Sequence, residues 1–103
     1  MSQDSEGSPF DPSMLERAVP NPFRNGMHMM YDVGTMNQRV SIGVYDLAGR
    51  LVRTLASGVQ SPGRHAIEWD GHDEQGSRVN KGMYFIHVRI GDQARQVRVT
   101  FLQ

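Results

Sequence analysis

The sequence predicts an all-β fold, two antiparallel sheets packed face to face, and three observations predict it. Apolar residues recur with a period of two along most of the chain, as expected of strands with one buried face. Turn residues interrupt that alternation roughly every 8–12 positions, the rhythm of a small sandwich. No stretch carries the 3.6-residue period of an amphipathic helix.

Met1 to about residue 17 reads as a flexible tail or linker, rich in Ser, Asp and Gly and carrying Pro9 and Pro12. Such composition buries too little apolar surface to offset its ordering entropy. Met14, Leu15, Ala18 and Val19 fit either a short first strand or a turn of helix. Val19-Pro20-Asn21-Pro22-Phe23 then breaks any regular element, since each Pro fixes its own φ and restricts its predecessor.

Six strands follow. Met27 to Val33 places Met27, Met29, Tyr31 and Val33 on one face, and Arg39 to Tyr45 does the same with Val40, Ile42 and Val44. Asp46-Leu47-Ala48-Gly49 reads as a hairpin turn, with Gly49 free to take positive φ. The return strand runs from Arg50 to about Ala56, Leu51, Arg53 and Leu55 alternating with Val52 and Thr54. Ser57-Gly58 and Ser61-Pro62-Gly63 punctuate the next connection. Arg64 to Trp69 puts His65, Ile67 and Trp69 together, and a polar loop spans Asp70 to Lys81. Met83 to Ile90, with Tyr84, Ile86, Val88 and Ile90 on one side, turns at Gly91-Asp92 into Gln93 to Leu102, with Val97, Val99 and Phe101 on one side. Only two packed antiparallel sheets bury one face of every such strand.

Composition narrows the function. The 103 residues hold 11 Lys and Arg against 11 Asp and Glu, a formal charge of zero. A nucleic-acid binder needs a positive face to displace counterions, so none is predicted as a partner. Cys is absent, which excludes a disulfide framework, a thiolate zinc site and a cysteine nucleophile. No run approaches the ~18 apolar residues of a membrane-spanning helix. The acidic N-terminus lacks the basic start and apolar region of a signal peptide.

Several motifs bear a family resemblance. Val44-Tyr45-Asp46-Leu47-Ala48-Gly49-Arg50-Leu51-Val52-Arg53-Thr54-Leu55 resembles the signature hairpin of the FlgD-type immunoglobulin-like domain, named for the flagellar hook-capping protein. Pro62-Gly63-Arg64-His65, then Trp69-Asp70-Gly71-His72-Asp73-Glu74-Gln75-Gly76, is similar to its second signature. Val79-Asn80-Lys81-Gly82-Met83-Tyr84 is similar to the third, and Val19 to Phe23 resembles the usual start of such domains. Type IX secretion sorting domains share the start, the hairpin and the Gly-x-Tyr strand.

The resemblance implies an immunoglobulin-like or fibronectin III-like antiparallel β-sandwich of about seven strands over residues 18–103. It also implies an extracellular or cell-surface setting, with the chain as a C-terminal accessory or sorting domain of a longer exported bacterial protein. Two features depart from the family. The second small β domain of the hook-capping protein has no counterpart here, and the final strand carries Arg but no Lys, where type IX signals often carry Lys.

Each conspicuous cluster has a structural reading. Asp46 is expected to accept backbone N–H groups inside its turn, with Arg50 placed to pair with a nearby carboxylate or to lie across Tyr45. Asp70, Asp73 and Glu74 invite a calcium site, yet the loop lacks alternate-position ligands and a distal bidentate Glu, so Asx-turns at Asp70 and Asp73 are predicted. His28, His65, His72 and His87 are at no ligand spacing on one element. Ser41, Ser57, Ser61 and Ser77 have no base in a recognisable motif. No catalytic, cofactor-binding or metal residue is therefore predicted, and no small-molecule substrate.

Trp69 is expected in the core against Tyr84 or Phe85. Met30, opposite Met29, is the candidate for a subunit contact. The function expected is a non-enzymatic binding or scaffolding module, engaging protein partners or copies of itself through sheet edges. The alternative is a self-assembling cap, filament or shell subunit. A glycan-contacting domain would require Trp69 and Tyr45 to be exposed.

Overall fold

A computed structural model describes residues 18–102; the tail or linker read over residues 1–17, Met14 and Leu15 included, and Gln103 lie outside the described residues. Six strands make up the fold: β1 Met27–Val33, β2 Gln38–Tyr45, β3 Leu51–Gln60, β4 Gly63–Trp69, β5 Gly82–Ile90 and β6 Gln93–Phe101. They form two antiparallel sheets, β1-β4 and β3-β2-β5-β6.

The period-two pattern translates directly into a core. Met27, Met29, Tyr31 and Val33 of β1 face Val40, Ile42 and Val44 of β2 and Ile86, Val88 and Ile90 of β5, all buried. Four aromatic rings close one end. Trp69 meets Tyr84 edge-on at 5.2 Å, and Phe23 lies 5.4 Å from Trp69 and 5.0 Å from Phe101. The Trp69 indole N–H donates to the His72 carbonyl at 2.9 Å, which satisfies its one polar atom. Of the two expected neighbours, Tyr84 is the one that Trp69 meets; Phe85 belongs to the opposite face of β5.

The structure departs from the sequence expectation in three places. First, β3 runs through Ser57 and Gly58 to Gln60, because Gly58 continues the ladder opposite Val40 rather than turning it. Second, the seventh strand is reduced, among the described residues, to two single bridges. Val19 exchanges both backbone bonds with His28 of β1, and Phe23 lies parallel to Phe101 of β6. Third, Phe23 is a core residue at 1% exposure, although it ends a run expected to break regular structure, with no place in the expected core. The peptide bonds before Pro20 and Pro22 are both cis.

β3 carries the irregularity of its sequence. Its register against β2 slips twice, leaving Leu55 and Val52 as extra residues. Each is a β-bulge, which turns consecutive side chains toward one face. Val52, Leu55 and Ala56 consequently all pack on the core, although their spacing fits no strict alternation.

Candidate functional site

The polar features of the sequence gather at the two chain turns that flank the aromatic end. The Asp46 Oδ1 accepts the N–H groups of Ala48 and Arg50 at 2.9 Å each, while the Gly49 N–H donates to the Asp46 carbonyl at 3.0 Å. The Asp73 Oδ1 accepts from Gln75 at 3.0 Å and Ser77 at 2.9 Å, and the Gly76 N–H donates to the Asp73 carbonyl at 3.0 Å. These are one device used twice, an Asp-x-x-Gly turn with the glycine at φ +83° in both. Arg50 Nε adds an ion pair to Asp46 at 3.1 Å, solvent-exposed on the arginine side and so weak.

These bonds set the acidities. The backbone N–H of Arg50, ahead of the guanidinium charge, holds the Asp46 carboxyl below its ordinary value. At Asp70 partial burial pushes upward, but the His72 N–H and the Arg53 guanidinium outweigh it and the net shift is downward. Tyr84 is raised by burial and then by the Asp46 charge; its hydroxyl donates to the Asn80 carbonyl at 2.6 Å. Tyr31 is likewise raised by burial, with its hydroxyl 2.6 Å from Gln60 Oε1.

The four histidines stay apart. His28 sits on β1, His65 stacks on Tyr31 of β1 at 5.4 Å, His72 bonds Asp70 in the loop, and His87 meets Tyr45 edge-on across β2 and β5. Among the described residues no three His, Asp or Glu side chains converge as metal ligands would. Ser41 and Ser57 face each other across β2 and β3, and Ser77 closes the Asp73 turn. Trp69 is 1% exposed, which removes the indole from any glycan-binding role. Met30 is half-buried, opposite Ala66 of β4.

Sheet edges remain as the surfaces with unspent bonding capacity. At β6, Asn21 imitates a strand. Its side chain donates to the Arg98 carbonyl at 3.0 Å and accepts the Thr100 N–H at 3.0 Å, and Phe23 then bonds Thr100 and Leu102 through its backbone. At β3, Glu74 performs the same task, its Oε2 accepting the Thr54 N–H and its own N–H donating to the Val52 carbonyl. Sequence reasoning reached the Asp turns, which are local, but not Asn21 or Glu74, whose partners lie far along the chain.

The comparisons with known proteins settle the family. Residues 28–94 match the model of the FlgD Ig-like domain. The chain belongs to that family. The FlgD Ig-like match takes in both Asp-x-x-Gly turns, Trp69 and the Glu74 guard, and it leaves out the lead-in segment through Asn21 and Phe23. Among solved structures, PorZ of Porphyromonas gingivalis, an essential surface component of its type-IX secretion system, superposes with a TM-score of 0.61. Identity is 20% over 86% of this chain and 11% of PorZ. The dimeric latent PorU of the same organism gives a TM-score of 0.64 and 18% identity over 85% of this chain and 9% of PorU. This FlgD Ig-like chain thus spans about a tenth of the length of either protein, and the likeness is one of fold. No curated protein matches the chain.

Proposed function

We propose that the chain is a non-catalytic binding and scaffolding module, the C-terminal accessory or sorting domain of a secreted or cell-surface bacterial protein, working through its sheet edges. The observation that carries this reading is the FlgD Ig-like assignment over residues 28–94, joined to a fold shared with small parts of PorZ and PorU. PorZ is a bacterial surface component, which supports the location. The interior supports the absence of catalysis: the large side chains fill it, and the polar loops spend their groups on their own turns.

The test is topological. An antibody against the folded domain should label intact cells of the organism that makes it, and external protease should remove the signal. Labelling that requires lysis would overturn the surface assignment.

A further inference from the structure

We infer that the second half of β3 pairs with the same strand of a second copy of this chain. The inference rests on the reading of sheet edges as binding surfaces and names which edge and which partner.

The other edges are guarded. β1 is bonded by Val19 at His28 and carries Asp32 further along. β4 carries Arg64, Glu68 and, between them, Ala66 on the backbone positions that face away from β1. β6 is capped over Arg98 to Leu102 by Asn21 and Phe23, and its uncapped half carries the charged Arg95. Charges and capping are the usual means of keeping an edge from pairing.

β3 is guarded only in its first half, where Glu74 covers Val52 and Thr54. The parity of the remainder follows from the ladder. The Gly91 N–H donates to the Arg39 carbonyl, so odd-numbered residues of β2 face β5 and even-numbered ones face β3. Gly58 and Ala56, opposite Val40 and Ile42, therefore turn their backbone groups toward β2. Ser57 and Val59 turn theirs outward, and no hydrogen bond from another described residue meets them. No residue from Thr54 to Gly63 is charged, and Val59 is 60% exposed.

What fits four outward groups on two alternate residues is an extended strand bearing the same set. An antiparallel pair centred on Gly58 puts Ser57 of each copy opposite Val59 of the other and closes all four groups on each side. At the centre the two glycines form a non-bonded pair, where Cα atoms approach to about 4.5 Å. Neither glycine carries a side chain to crowd this closest pair, and the face of the strand over Gly58 is open, since a methyl group on its Cα would have nothing within 4 Å. With no charge on either strand, self-pairing brings no like-charge repulsion.

The test uses the full chain. Light scattering behind size exclusion should show the mass rising from monomer to dimer with concentration. Val59→Lys, which sets a charge on the edge, and Ser57→Pro, which removes an outward donor at an edge position, should both remain monomeric with unchanged circular dichroism. In a chain without Cys, Ser57→Cys should give several-fold more covalent dimer with a short bis-maleimide than Glu68→Cys. A monomer at every concentration overturns the pairing, and so does a dimer that survives both edge variants. A surface-exposed but monomeric protein refutes this pairing alone; a dimer confined to the cell interior refutes the surface reading alone.

Discussion

Gly71 carries the chain away from Trp69 at φ +81°, and a Cβ there would sit 2.8 Å from the Phe101 ring. Both facts oppose substitution. Gly71→Ala is expected to cost about 1–2 kcal/mol for the left-handed backbone alone, and more as Phe101 yields; urea unfolding reads the sum. Asp46 and Asp70 make a prediction about acid. Their carboxyls are held below the ordinary range in the folded chain, so their stabilisation is complete above the unfolded value of about 4 and is lost as pH falls through the folded one. The melting temperature should therefore decline below about pH 4, and the Asp46→Asn/Asp70→Asn double variant should show a shallower decline. An equal slope in both proteins would remove these carboxylates as the cause. The Asp46 and Asp70 turns were legible in the sequence because the backbone N–H groups they accept lie within four positions. Phe23 was not, because its partners Trp69 and Phe101 are brought to it only by the finished fold.

At the scale of the element, strand pairing was legible wherever alternation was clean, as in β1, β2 and β5, whose inward sets are the buried ones. β3 was not, because two bulges shift its parity and Gly58 reads as punctuation while serving as strand. Edge guarding is equally invisible locally. Asn21→Ala should leave the core intact, cost about 1 kcal/mol, and accelerate hydrogen exchange at the Thr100 amide, which Asn21 accepts. Exchange at Val99, which sits within the ladder opposite Tyr84, should stay slow. Uniform acceleration along β6 would mean that Asn21 holds the strand and does not merely cover its edge. Glu74 admits the parallel experiment at Thr54.

For the whole molecule, the ring cluster of Phe23, Trp69, Tyr84 and Phe101 ties lead-in, loop and both sheets together. Trp69→Ala should cost about 3–5 kcal/mol, a large part of the roughly 5–15 kcal/mol typical of a domain, and the native tryptophan should fluoresce at the blue end of its range. A red-shifted native spectrum would contradict its burial. The sandwich and the family were legible together, since the motifs that mark the family are also its turns and core anchor. The proposed binding surface was legible only as "an edge", because which edge is open depends on guards supplied from elsewhere in the chain.

The parallel contact between Phe23 and Phe101 has a mechanical consequence. Once Val19 has parted from His28, tension applied at Ala18 and at Leu102 draws these two segments in opposite directions along their length. The Phe23 bonds to Thr100 and Leu102 and the Asn21 bonds to Arg98 and Thr100 then bear the load side by side, in shear. They must break together rather than unzip one at a time, so the seam that covers an edge also serves as a clamp against pulling.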